Sequence, residues 1–521
     1  MADRAQPVIS PVSGRPGLGA AALVAVLILG PLLAVFLRAE AGAGLVRADW
    51  AAIRFTVWQA VLSAVISVAL AVPVARALAR RRFAGRSILI TLLGAPFILP
   101  VIVAVLGLLA VFGRNGWISQ GLGLMGLPPV QVYGLHGVVL AHVFFNLPLA
   151  TRLILQGWQD IPAEHFRLAA QLGAGSRVIW RLIERPMLAR VVPGALAVIF
   201  AICLTSFAVA LTLGGGPRAT TIELAIYQAF TFDFDLGRAA LLSVVQIALT
   251  LGAALIALRV ASGDGLGAGL DRPVQRWDAA GRGARTLDGA LIVAAGLFLL
   301  LPMLAIVAEG VPGLLRLPAS VGRAALVSLG VALGSTAVML LVALPMALAI
   351  AAGRGSVELA GLLGLAVSPL VIGTGLFLIV NPIADPFALA LPVTAGVNAV
   401  MGLPFALRIL VPAAREVLSV QGRLALSLNM RGLTFLRLVI LPRMRPQIGF
   451  AAGLVAALSM GDLGVIALFA ETDVATLPLQ IYRLMGAYQM QAASGAGLLL
   501  LALSVGLFWV LDRGGRWHVA A

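Results

Sequence analysis

The sequence predicts an all-α, polytopic membrane protein of about twelve transmembrane helices, built as two parallel six-helix repeats. Three observations predict it. Of the 521 residues, 61% are hydrophobic and 11% are charged, whereas soluble domains are about half apolar and a quarter charged. The apolar residues form unbroken runs, each long enough for a membrane helix of about 20 residues, and lack the alternating ten-residue pattern of a transmembrane β-barrel. A shift of 256 residues also lays 402–442 of the second half on 146–186 of the first without a gap.

A polar tail, residues 1–18, precedes the first apolar run at 19–37. Ala39-Glu40-Ala41 imitates a signal-peptidase site, but the run before it is long for a signal segment and reads as an uncleaved anchor. Further spans fall near 56–79, 87–112, 137–156, 188–212, 239–260, 288–308, 324–352, 357–380, 393–411, 447–470 and 493–511. Glycine, charge and proline interrupt the pattern at 261–287, the linker between a first half (19–260) and a second half (288–521).

Arginine sets the orientation. With the N-terminus inside, 28 of the 37 arginines fall on the cytoplasmic side and nine outside, the bias expected of a bacterial inner-membrane protein with both termini in the cytoplasm. The net charge of +16 is then a topology signal and an attraction to anionic inner-leaflet lipid, with no need of nucleic acid. The five arginines from Arg76 to Arg86 read as inside anchors. The chain has no lysine, so it lacks the phosphate-loop lysine of a Walker-type ATPase. If ATP drives it, a separate subunit uses the ATP and magnesium, and the chain itself is expected to be a transport subunit and not an enzyme. The lone Cys203 forms no intramolecular disulfide, and His136, His142, His165 and His518 show no metal spacing, so neither a metal site nor a bound cofactor is expected.

In the repeat, Asn146-Leu147-Pro148-Leu149-Ala150-Thr151-Arg152 falls on Gly402-Leu403-Pro404-Phe405-Ala406-Leu407-Arg408. Arg167-Leu168-Ala169 falls on Arg423-Leu424-Ala425, Arg181-Leu182 on Arg437-Leu438, and Pro186 on Pro442. Leucine and alanine matches are cheap in this composition, while paired proline and arginine matches are not. Pro100 and Pro369 join a weaker match. The aligned loops, 157–186 and 412–445, share the cytoplasmic face and are too long for turns. In each, a short amphipathic helix ends at a residue suited to the left-handed conformation, Gly173 or Asn429. A second short helix then runs to Pro186 or Pro442, which makes a knob.

This pattern resembles the coupling loop of ABC importer permeases, the element that docks on the ATPase subunit. The resemblance assigns ATPase coupling to Ala169, Leu172, Gly173, Ala174, Ile183 and Pro186, and to Ala425, Leu428, Asn429, Val439, Leu441 and Pro442. Arg167 and Arg423 replace the usual glutamate, Leu168 and Leu424 the first alanine, Asn429 the glycine and Arg185 a leucine.

Ionisable groups are scarce within the spans, and Asp462 stands out in the eleventh. Charge at membrane depth faces a cavity or a partner, so Asp462 and its repeat partner Ser206 are candidates for the substrate pathway. Packing against Ser459 and the backbone is the alternative for Asp462. Beyond the fifth and eleventh spans, a polar turn leads to Thr220 or Thr476, then to short amphipathic segments ending at Ile226-Tyr227 and Ile481-Tyr482. These elements suit either a seat for a solute-binding protein or interfacial helices anchored by tyrosine.

The stretches LTSFAVALTLGGGPRATTIELAIYQAF, FDFDLGRAALL, LSMGDLGVIALF and TLPLQIYRLMGAY resemble the fused permease subunit of bacterial thiamine and thiamine diphosphate importers. That resemblance implies import of thiamine or its phosphate esters, a partner ATPase in two copies and a periplasmic solute-binding protein. Fused ferric-iron permeases are similar in layout. An ion-coupled secondary transporter, with Asp462 as its ion site, is the alternative from another class, and the knobs argue against it.

Overall fold

The computed structural model describes residues 13–39, 44–94, 99–216, 219–260, 276–278, 280–469 and 475–516. Residues 1–12 of the tail, Glu40 and Ala41, linker residues 261–275 and 279, and His518 lie outside the described residues.

Among the described residues every regular element is a helix. In the first half these are α1 (Arg15–Arg38), α2 (Arg47–Arg80), α3 (Arg86–Leu92), α4 (Val101–Phe112), α5 (Trp117–Leu124), α6 (Leu135–Gln159), α7 (Ala163–Gln171), α8 (Ser176–Ile179), α9 (Arg185–Leu204), α10 (Phe207–Leu213), α11 (Ile222–Thr231) and α12 (Leu236–Val260). The second half holds α13 (Arg282–Leu314), α14 (Ala319–Ala351), α15 (Gly355–Leu362), α16 (Pro369–Val380), α17 (Ala390–Ser427), α18 (Gly432–Phe435), α19 (Leu441–Met460), α20 (Gly464–Phe469), α21 (Leu477–Gly486) and α22 (Met490–Arg516). Among the described residues eleven helices are long and apolar enough to cross a membrane, and twelve if the pair Gly355–Leu365 and Pro369–Val380, bent by 96°, is one span. The chain is an all-α polytopic membrane protein.

Several spans that hydropathy reads as continuous are broken. The run at 357–380 bends ahead of Pro369, and the run at 87–112 holds α3 and, after Pro100, α4. A residue before proline is pushed out of the helical region, which a hydropathy window cannot register. The run at 188–212 breaks at Thr205-Ser206, and that at 447–470 at Gly461–Leu463. The predicted linker also ends early, because α13 begins at Arg282.

The two sequence halves interlock. α1 packs against α14, α15 and α16 of the second half, and α13 against α2 and α4 of the first. Small residues permit the close approaches on which membrane helix packing relies. A Cβ at Gly375 of α16 would collide with the Pro31 backbone of α1. On α19, Gly449 and Gly453 lie one turn apart against α22, where a Cβ at Gly453 would stand 2.8 Å from the Phe508 carbonyl oxygen.

Broken helices free carbonyls that lipid cannot satisfy, and side chains take them up. Gln59 of α2 donates to the Cys203 carbonyl (2.9 Å) and Gln246 of α12 to the Leu204 carbonyl (2.9 Å), so the end of α9 is capped from two neighbouring helices. Leucine at position 246 leaves the Leu204 carbonyl buried and unpaired, at a cost of about 1–3 kcal/mol. Gln246→Leu should therefore lower the melting temperature of the detergent-solubilised protein, and an unchanged melting temperature would show that the break is held by other means.

Candidate functional site

A cavity of about 440 Å³ lies between the two halves. Its walls come from the broken elements: the start of α4 at Pro100, the start of α16 at Ser368-Pro369, the α9–α10 break and the α19–α20 break, with α6, α11 and α17 between them. Irregular backbone is tolerated at membrane depth where it lines such a cavity.

The two candidate pathway residues meet here. Ser206 and Asp462 both line the cavity, each at the break of its half. Repeat-equivalent residues stand beside them. His142 Nε2 and Ser206 Oγ are 2.6 Å apart, and Asn398, which stands 256 residues after His142, lines the same wall as Asp462. Ser63 completes the first set, 3.1 Å from His142 Nδ1. In the second set, Ser459 accepts from Asn398 and from Ser335, each at 2.9 Å. Ser459 thus bonds Ser335 and Asn398, while one Asp462 oxygen caps the start of α20 by accepting from Gly464 N–H (3.2 Å). The other, Oδ2, is buried without a hydrogen-bond partner. Asp462 therefore sits at a helix break, between α19 and α20.

A second acid in the cavity wall escaped the sequence reading. Glu223, 1% exposed on α11, accepts from the Ser368 hydroxyl across the two halves and from the Phe207 backbone N–H. Ser368 caps α16 by accepting from Leu370 N–H, and Phe207 begins α10. Glu223 thus lies where two half-helices begin. The sequence signal was an acid one residue after an apolar start, inside a segment that reads as interfacial. Instead, α11 and α21 are laid into the bundle. Ile222 N–H donates to Thr56 on α2 (2.9 Å) and Leu477 N–H to Ser328 on α14 (2.7 Å), matching anchors in both halves. Thr221, one residue beyond the expected threonine, caps α11.

The knobs share one backbone. Gly173 (φ 65°) and Asn429 (φ 55°) are both left-handed, and both turns close with the same pair of bonds. Ala174 N–H reaches the Ala169 carbonyl (2.9 Å) and Gly173 N–H that of Ala170 (3.0 Å); Met430 N–H reaches Ala425 (2.8 Å) and Asn429 N–H Leu426 (3.1 Å). This is the Schellman pattern. Leu172 and Leu428 at the tips are 75% and 62% exposed, and Leu168 and Leu424, one turn back, are 56% and 61% exposed. The leucines at the family's alanine position thus widen an apolar tip.

Two expectations for the knobs fail. The second helix of each knob does not stop at the proline: it continues through a π-helical turn, Trp180–Glu184 or Leu436–Ile440, into α9 or α19. The widened turn makes room for the ring of Pro186 or Pro442, which would clash with a carbonyl one α-turn back. Ile183 and Val439 lie within these turns, and Leu441, like both prolines, lies just past one. The second loop also begins late, because α17 runs unbroken from Ala390 to Ser427. The first copy breaks at Pro162, which precedes α7; the repeat position is Leu418, so nothing stops the helix.

The arginines read as anchors do more. Arg76 pairs with Glu184 (2.6 Å), a buried acid beneath the first knob that the sequence reading passed over, and Arg81 pairs with Asp288 (2.7 Å).

Comparison with known proteins gives no matching family model. It gives long relatives. The thiamine transport system permease protein ThiP of Salmonella typhimurium is 41% identical over 98% of this chain and 98% of its own length. Those of Escherichia coli (40%; 98% of each chain) and Brucella abortus (40%; 98% of this chain, 96% of its own) are similarly close. The chain belongs to the thiamine transport system permease family. The likeness spans both knobs and every cavity wall of this permease, so the repeat and its departures lie inside the shared region.

The permease's two turns differ in one residue that tests their geometry. A β-branched side chain in the left-handed region costs roughly 1–2 kcal/mol, while asparagine already holds it at 429. Gly173→Val should speed amide exchange of Ala174 roughly tenfold and Gly173→Asn should leave it near wild type. Equal exchange in the two variants would refute a left-handed requirement at 173.

Proposed function

We propose that this permease imports thiamine or its phosphate esters, from periplasm to cytoplasm, as the membrane subunit of an ATP-driven importer. The two halves, 19–260 and 288–521, each contribute one knob to a partner ATPase, expected in two copies, and a periplasmic binding protein delivers the solute. The observation that carries this reading is the cavity between the halves, whose wall holds Asp462 with one buried carboxylate oxygen that has no hydrogen-bond partner. Thiazolium is a cation with apolar faces. Phe145, Phe207 and Phe405 in the same walls suit such faces.

The two acids divide the work. Glu223 is committed to Ser368 and Phe207, so its role is to hold the halves together at the starts of α10 and α16. Asp462 has a free lone pair and meets the cation in passage. Each knob connects to the cavity by one rod: α9 runs from the π-turn to the Thr205-Ser206 break, and α19 from its π-turn to Gly461. Twenty residues of helix span about 30 Å. A shift of a knob on the ATPase is thereby carried to the cavity wall, which is what alternating access requires.

Asp462→Asn keeps the shape and removes the charge. Thiamine uptake by vesicles holding the permease and its ATPase should fall roughly tenfold, the loss expected for one charge-assisted contact of ~1.5–3 kcal/mol, with assembly unchanged. Wild-type uptake in that variant would remove the charge role, and a wild-type complex that moves ferric iron but not thiamine would overturn the substrate. The arginine bias supports a cytoplasmic position for both termini; reporter fusions at each end should be active only as cytoplasmic fusions, and a periplasmic C-terminus would put the second knob out of reach of an ATPase.

A further inference from the structure

The two knobs share a backbone but are held in different ways. The second is the end of an unbroken helix, α17. The first is cut from its span at Asp160–Pro162, so α7 lacks that lever. What stands behind it is a buried ionic cluster, and two members come from the linker between the halves. Arg276 donates to Glu184 (2.8 Å) and to both oxygens of Asp278 (2.7 and 2.9 Å). Glu184 also accepts from Arg76 (2.8 Å) and the Trp158 indole (3.3 Å), and Asp278 pairs with Arg80 (3.2 Å). The side chains of Arg276, Asp278 and Glu184 are 5%, 0% and 0% exposed.

The cluster grips the knob directly. The Arg276 guanidinium lies over the Phe166 ring of α7, 4.4 Å from its centroid, and Ser176, the first residue of α8, donates to the Asp278 carbonyl. Arg76 lies over Trp180 on the π-turn at 4.5 Å. Burial alone would push the Asp278 carboxyl up, but its bonds and charge contacts to Arg276 and Arg80 hold it below the usual carboxylate range, so it stays ionised at neutral pH. In the second half every counterpart is apolar or small. At a shift of 256, Trp158, Phe166, Trp180 and Glu184 become Ala414, Gly422, Leu436 and Ile440. At the shift of 272 that pairs Ser63 with Ser335 and Pro73 with Pro345, Arg76 and Arg80 become Leu348 and Ala352.

We propose that Arg276 and Asp278 are positioning residues for ATP coupling: the linker is a strap that fastens the first knob to α2 and Glu184, in place of the continuous helix that stiffens the second. The proposal rests on the knobs being the ATPase-docking elements. A buried ion cluster suits this role because its geometry is specific and each charge needs its partner in place. The tether and the strap are then separable functions of one segment.

Two altered forms distinguish them. The double variant Arg276→Ala with Asp278→Ala removes one charge of each sign, so Glu184 keeps Arg76 and Arg80 and no acid is left unpaired. Splitting the permease into co-expressed fragments 1–268 and 269–521 removes the tether and keeps the strap. In vesicles with the ATPase subunit, the double variant should transport about tenfold less thiamine per ATP hydrolysed while hydrolysis persists, and the split form should match the intact chain. Arg276→Lys, which keeps the charge without the planar stack on Phe166, should fall between. Amide exchange across 163–184 should rise in the double variant while 425–440 stays unchanged. Unchanged exchange at 163–184 would overturn the strap, and raised exchange with a wild-type transport ratio would overturn its role in coupling. A wild-type permease that binds no ATPase would instead refute the docking reading, with the exchange measurement still deciding whether the strap exists.

Discussion

The structure depends on one constraint: in lipid, each backbone polar group must find a partner within the protein. A transport cavity needs irregular backbone, and irregular backbone creates orphans. Here the breaks in α9–α10 and α19–α20 are placed where polar side chains from other helices can reach them. Gln59 and Gln246 take the carbonyls at the end of α9, Ser504 takes that of Ala457 near the end of α19 (3.2 Å), and Glu223 and Asp462 accept from the first amides of α10 and α20. These polar residues of the interior thus hold the breaks that wall the cavity.

The repeat is a repeat of backbone more than of side chains. Left-handed turns, π-turns, anchors at Thr56 and Ser328, and paired breaks recur in both halves. The buried acids do not recur. Glu223, Glu184 and Asp462 each occupy one half, with Pro478, Ile440 and Ser206 at the corresponding places. A fused chain can differentiate its halves in this way, since the two copies mutate independently, whereas a homodimer places each charge twice.

The same asymmetry links the cavity to the knobs. α9 and α19 form matching rods, but the first rod starts from a knob set in an ionic cluster and the second from one borne on α17. The interlocking of α1 with α14–α16 and of α13 with α2 and α4 ties each half to the other. Motion of one half is thus felt by both walls of the cavity.

The sequence by itself determined whatever depends on composition and on local backbone chemistry: the helical class, the number of apolar runs, the register of the repeat, the left-handed residues at 173 and 429, and the isolation of Asp462 from other charge. These follow from transfer energies and from glycine and asparagine sterics, which need no knowledge of neighbours. Tertiary structure alone decided the rest. Hydropathy sees Thr205-Ser206 and Gly461–Leu463 as membrane-compatible; both breaks line the cavity, and Gln59 and Gln246 take the carbonyls freed at the first. Glu223 and Glu184 look like surface acids of short amphipathic segments until α11 folds inward and Arg76, Arg80 and Arg276, from positions 92 to 108 residues away, close around Glu184. Burial of a charge is a property of its partners, and those partners are distant in sequence.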